Sequence, residues 1–216
     1  ALDRRNYTGY IHFLRGYAYY HILMTCGPAI LVGDEIFESN LEGPAYNTYR
    51  ATYDETVEYI CSELETAAAY LPLKASIAQF ERPTKGAAYA LIARLRLHAA
   101  PPLFNGTSTA RLYFGNWKRT YDKEYYVNQN YSEEKWALAA AACKRVIDMN
   151  VYELFTVSKD QNTPQLPAGV PTENFPDGAG GIDPFKSYSY MFTGDEPFKN
   201  NNEIIWGRIS EEVKGY

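Results

Sequence analysis

Three cysteines in 216 residues, Cys26, Cys61 and Cys143, are too few and too scattered for a disulfide framework, and their odd number leaves at least one thiol unpaired. Each falls on or beside an apolar helical face, which predicts buried free thiols. Histidine is equally scarce: His12, His21 and His98 lie at no metal-ligand spacing that also brings in Asp, Glu or Cys, so no metal or cofactor is expected. Lys and Arg total 21 against 26 Asp and Glu, a net charge of -5, which argues against a general nucleic-acid binder because phosphate neutralisation needs a basic face. No apolar run is long enough to span a bilayer, and no signal peptide is visible. The chain holds no G-x-S-x-G, no phosphate loop and no H-E-x-x-H. Carboxylate neighbours occur, Glu133-Glu134 and Asp195-Glu196 among them, but glycosidase chemistry needs two carboxyl groups facing each other across a bond, and adjacency in sequence does not supply that.

Hydrophobic residues, in contrast, reach 46%, enough for a sizeable core, and 20 tyrosines lift the aromatic content to 15%. Tyrosine combines flat apolar area with a hydroxyl, which suits both helix interfaces and wet recognition surfaces. The organising stretch is Arg82 to Ala100. Pro83 fixes the start, Thr84 is a natural N-cap, Gly86 and the alanines allow close approach, Leu91, Leu95 and His98 share a stripe, and Pro101-Pro102 ends it. Three more helices are predicted, giving spans of about 2–26, 52–71, 84–100 and 132–149. In the first, Ile11, Leu14, Ala18, Ile22 and Thr25 form one row and Tyr10, Phe13, Tyr17, Tyr20 and Met24 a second, the pattern of an inner helix buried on two sides, with Gly27 as its left-handed stop. The second opens on a capping box, Thr52 with Glu55, and directs Val57, Ile60, Cys61, Leu64, Ala67, Ala68 and Leu71 inward. The last opens at Ser132, turns Trp136, Ala139, Ala140, Cys143, Val146 and Ile147 inward, and stops at Asn150.

The resulting fold class is mainly α: tetratricopeptide-like stacked hairpins, with 1–216 read as part of a single helical domain that has long inserted loops and a few short strands, one of them at Asn202–Ile209. The loops are 101–131 and 156–202. The first carries Asn116, Trp117, Tyr121, Tyr125 and Tyr126; the second carries Tyr188 and Tyr190 within a piece that reads as a brief strand or helix. Sugars present flat C–H faces that stack on aromatic rings and hydroxyls that amides and carboxylates grip, so these seven residues are the candidate ligand-binding set, with packing of the rings beneath the loops as the competing explanation.

Several stretches resemble one family in order. R-P-T-K-G-A-A-Y-A-L-I-A-R-L-R-L from Arg82, followed by Pro102-Leu103-Phe104-Asn105-Gly106, resembles the signature helix of the SusD/RagB family. Tyr10 to Tyr20 resembles its F-L-R-A-x-x-Y-F helix, Glu63 to Pro72 the ending D/E-L-x-x-A-x-x-x-L-P, Trp136 to Tyr152 the W-x-x-A helix, and Asn202 to Trp206 the N-x-E-I-I-F/W strand. The resemblance implies a non-catalytic, lipid-anchored outer-membrane protein at the cell surface of Bacteroidetes that captures oligosaccharide or polysaccharide for a TonB-dependent transporter. It would touch the membrane only through an anchor outside this chain. The alternatives are a peptide-binding or scaffold member of the same family and a helical-fold glycoside hydrolase. The matching motifs are scaffold, so the candidate binding residues rest on loop aromaticity alone. The chain begins inside a predicted helix and stops after an apolar run, and reads as a piece of a longer polypeptide.

Overall fold

In the computed structural model the described residues are 2–46, 48–76, 79–193 and 201–207. Six α-helices are described: α1 (Leu2–Cys26), α2 (Tyr53–Tyr70), α3 (Lys85–Ala99), α4 (Ser108–Phe114), α5 (Glu134–Asp148) and α6 (Pro184–Thr193), with a short 3-10 turn at Gly43–Tyr46. The chain divides into two compact units, Ala1–Asp148 and Met149–Tyr216. The mainly helical, tetratricopeptide-like class holds.

In the first unit α1 packs on α2, α2 on α3, and α3 on α5. Local capping chemistry sets the helix ends. The Thr52 hydroxyl accepts from Glu55 N at 3.1 Å while the Glu55 carboxylate accepts from Thr52 N at 2.6 Å. The Thr84 hydroxyl accepts from Ala87 N at 3.2 Å. Gly27 and Asn150 stop their helices at φ 79° and 51°, the left-handed conformation expected of them. At the α1–α2 crossing, a Cβ on Gly16 would lie 3.0 Å from Leu64 Cγ, so the missing side chain is what lets the two helices approach.

All seven residues read as the inner face of α2 are buried. Elsewhere the inward faces differ from expectation. Phe13 and Tyr20 of α1 are buried, but the first row, Ile11, Leu14, Ala18, Ile22 and Thr25, lies open, so α1 is an outer helix covered on one side among the described residues. The buried stripe of α3 is Ala88, Ile92, Leu95 and Ala99, not Leu91, Leu95 and His98. In α5 only Ala139 is buried; Trp136, Ala140 and Ile147 face solvent. Charged side chains attach α5 to α2 instead: Lys135 Nζ lies 2.6 Å from Asp54, and Arg145 pairs with Glu65 while lying 3.7 Å over the Tyr89 ring.

The loop at 101–131 contains the unforeseen α4, and its closure depends on one side chain. Asn105, fully buried, donates from Nδ2 to the carbonyls of Ala100 (2.8 Å) and Ser132 (2.9 Å), and its Oδ1 accepts from Ser132 N (2.9 Å). Ser132 is thus held by Asn105 and α5 begins two residues later. Gly106, at φ 58°, has no room for a Cβ, which would fall 2.0 Å from the Asn130 carbonyl carbon. The motif Phe104-Asn105-Gly106 therefore has a mechanical purpose.

In the second unit, 156–202 contains α6, so Tyr188 to Phe192 resolve as helix. The predicted strand at 202–209 does not form over 202–207; its last residues, with Asp195-Glu196, lie outside the described residues. Strand character among the described residues reduces to three isolated bridges, Lys118 with Tyr125, Ser158 with Ile182 and Asn174 with Gly180. Of the cysteines, Cys61 is buried and Cys143 half-buried, but Cys26 is exposed at the end of α1, contrary to the expectation of three buried thiols.

Candidate functional site

Residues 117–126 fold back on themselves. Tyr126 N donates to the Trp117 carbonyl at 3.1 Å, Arg119 N to the Glu124 carbonyl at 2.8 Å, and Lys123 N, at φ 65°, to the Arg119 carbonyl at 3.2 Å. This hairpin is tied to the start of α2, where Tyr53 N donates to the Tyr126 carbonyl at 2.7 Å.

Its anchor is Arg119, whose buried guanidinium meets three carboxylates: Glu55 through Nη1 at 2.9 Å, Asp122 through Nε at 3.2 Å and Nη2 at 2.6 Å, and Glu124 through Nη2. Burial works against its charge, but the hydrogen bond with Asp122 and the fields of Glu55 and Asp122 prevail and raise its pKa. For Asp122 burial pushes the other way, but the bonds from Arg119 and from Glu124 N prevail and hold it below the usual carboxylate range. Glu55 Oε2 closes the α2 capping box and grips Arg119 at once, so the hairpin and the helix start are one construction.

The aromatic side chains of the hairpin fall into three groups. The Trp117 ring lies 4.7 Å from Tyr126 and 6.2 Å from Phe114, with its Cη2 3.5 Å from where a Gly27 Cβ would stand. Arg119 lies 5.2 Å over Tyr121, and Tyr121 pairs with Tyr49 at 4.2 Å and an interplanar angle of 43°. Lys118 Nζ covers Tyr125 at 4.2 Å. Asn116, Trp117 and Tyr121 are exposed; Tyr125 and Tyr126 are half-buried. The five candidates from the first loop therefore share one hairpin and the turn before it. Tyr49, absent from the sequence-derived set, joins them from a separate loop; 71 residues intervene between the two partners, and no local signal links them.

Tyr188 and Tyr190 belong to the second unit, on α6. Buried Asp183 starts that helix by accepting from Lys186 N (2.9 Å) and the Thr163 hydroxyl (2.9 Å), while the Ser187 hydroxyl donates to the Asp183 carbonyl (2.6 Å). The bond from Lys186 N, opposed by burial and aided by Thr163, lowers the Asp183 pKa. Tyr188 is exposed and lies 5.2 Å from Phe192; Tyr190 is half-buried.

A separate cleft of about 340 Å³ opens between α2, α3 and α5, lined by Cys61, Ile92 and Leu138 and bordered by the pairs Glu58–Arg96 and Glu65–Arg145. Among the described residues no three His, Cys, Asp or Glu side chains group as a metal site, and no helix is long and apolar enough to cross a membrane.

Helices α1, α2, α3 and α5 packed in sequence order, with a ring-bearing hairpin tied to the start of α2, define a helical scaffold. Residues 2–97 match the SusD-like family model described as starch-binding and associating with the outer membrane. Among solved structures, BT4246 is 27% identical over 81% of this chain and 30% of its own, at a TM-score of 0.64. The selenomethionine form of BT4246 aligns over 96% of this chain and 35% of its own, at 23% identity and a TM-score of 0.66. A SusD homolog from Bacteroides thetaiotaomicron aligns over 71% of this chain and 25% of its own, at 20% identity and a TM-score of 0.50; these last two speak to the fold alone. No curated protein matches. Residues 2–97 are thus similar to the SusD-like family, and the chain spans about a third or less of the length of the solved relatives it matches.

Proposed function

We propose that this chain is the ring-bearing portion of a cell-surface glycan-binding protein, one that captures an oligosaccharide or polysaccharide for a TonB-dependent outer-membrane transporter and leaves it chemically unchanged. The observation carrying this reading is the Arg119-anchored hairpin. It holds Tyr121 against a fixed guanidinium and Trp117 against Tyr126, with Asn116 exposed at its start. Fixed ring faces bind without the loss of side-chain freedom that a mobile loop would suffer. Three carboxylates of this region, Glu55, Asp122 and Glu124, all serve Arg119, which supports binding over hydrolysis, since a glycosidase needs an opposed pair free to exchange protons and attack. Tyr125 completes the proposed ligand-binding set of this hairpin, and Tyr188 and Tyr190 on α6 are proposed as ligand contacts of the second unit by itself. Attachment to the outer membrane by a lipid, outside this chain, belongs to the same proposal.

Native affinity electrophoresis of the full chain in gels containing soluble amylopectin, xyloglucan, galactomannan or arabinoxylan tests it. At least one gel should retard the protein. Replacing Trp117 and Tyr121 together by Ala should weaken that retardation about tenfold or more, the equivalent of ~1.4 kcal/mol. Retention unchanged by the double substitution, in a protein that still melts cooperatively, would remove the hairpin as the site. Co-purified peptides with no polysaccharide affinity would favour peptide capture, and release of reducing sugar would establish a hydrolase.

A further inference from the structure

The stack of contacts around Arg119 does not end at Tyr121. Glu55, Asp122 and Glu124 fix the guanidinium, the guanidinium lies over Tyr121, and Tyr121 lies against Tyr49. Exposure rises along the row, from 6% at Arg119 to 52% at Tyr121 and 63% at Tyr49. Tyr121 already has two neighbours, a cation and a ring. Tyr49 lies against Tyr121 alone in this row, and it presents more open ring surface than Tyr121 does.

An exposed ring on a loop ordinarily keeps its freedom, but the backbone around Tyr49 is pinned. Thr48 N donates to the Tyr46 carbonyl at 2.9 Å, Ala51 N to the Ala29 carbonyl at 2.8 Å, and Thr52 N to Glu55 at 2.6 Å. The Arg50 side chain reaches the Cys26 carbonyl at 3.4 Å. Glu55 thus holds both ends of the row: through Arg119 it sets the supporting ring, and through Thr52 it ends the segment carrying the terminal one. Open apolar surface of this kind is unfavourable in water by roughly 25 cal/mol per Å² until something covers it. A sugar ring supplies a C–H face to cover it and hydroxyls that remain in water.

We propose that Tyr49, contributed from outside the aromatic hairpin, is the ring that stacks on the bound sugar, that Tyr121 is its support, and that Arg119 is the positioning residue for both. This rests on the glycan-binding reading above. It assigns the direct contact to a loop 65 positions or more from the hairpin, and the geometry gives the two tyrosines unequal tasks.

The test uses the full chain and whichever of the four soluble polysaccharides retards it. Tyr49→Ala should weaken retention tenfold or more, and Tyr49→Phe should stay within twofold, because the ring and not the hydroxyl makes the contact. The melting temperature of both should remain near that of the parent, since the side chain is mostly in water. The double substitution of Tyr49 and Tyr121 by Ala should bind no more weakly than Tyr49→Ala alone, since a support acts only through what it supports. Tyr49→Trp should add a fluorescence change that saturates over the same polysaccharide range as the gel. Retention of Tyr49→Ala within twofold of the parent overturns the assignment while leaving glycan binding intact. Additive losses in the double variant overturn the division of tasks. Absence of retention in the parent on every polysaccharide overturns the glycan reading itself, and this inference with it.

Discussion

Replacing Asn105 should release the loop that carries the candidate site, and the structure permits an estimate of the effect. The side chain is fully buried and makes three hydrogen bonds, donating to Ala100 O and Ser132 O and accepting from Ser132 N. At about 1 kcal/mol net for each bond, Asn105→Ala should lose about 3 kcal/mol, and more where a stranded carbonyl finds no water. Asn105→Asp is the sharper control. It keeps the volume and the acceptor for Ser132 N, but sets a carboxylate against two carbonyl oxygens in a dry site. Two lost bonds and a buried charge should make it at least as damaging at pH 7. Its deficit should shrink as the pH falls, because the protonated carboxyl regains one donor. The assay is urea unfolding followed by circular dichroism at 222 nm. With a slope of about 2 kcal/mol/M, a 3 kcal/mol loss moves the midpoint by about 1.5 M at unchanged slope. A shift below about 0.5 M for both variants would refute the claim that one side chain closes the loop.

Gly106→Ala should lose more than the ~1 kcal/mol that its left-handed φ alone entails, because the new Cβ meets Asn130 backbone at 2.0 Å; the same urea titration reads it. Native alkylation with iodoacetamide at pH 8, mapped by peptide mass, should modify exposed Cys26 and spare Cys61, whose thiol burial pushes up to about 12. Asp183 titrates below its ordinary 3.8 in the folded state, so the unfolded chain takes up its proton first. The stability it gives α6 is whole above that value and is lost as the pH falls through the lowered one. Asp183→Asn should flatten the fall of thermal stability between pH 5 and the acid limit, measured as a series of melts.

The helix ends were legible in the sequence because their causes lie within one turn. Thr52 with Glu55, Thr84, Gly27 and Asn150 each act on backbone groups three or four residues away, and the structure repeats each of them. The inner face of α2 was legible too, since a helix flanked on both sides leaves its apolar row no other place. Which row of α1 turns inward, and how little of α5 is covered, depended on neighbours that periodicity does not name. The aromatic loop announced itself by composition, but its shape did not. Arg119 finds Glu55 across 64 positions, and Tyr121 finds Tyr49 across a similar span.

The sequence by itself determined that this is a stack of helices with ring-rich loops, because capping, proline breaks and apolar spacing are local and survive without tertiary contact. Only the tertiary structure decided where those rings stand. Their positions follow from one buried guanidinium and one buried amide, and the partners of each are brought within reach only when the helices have packed.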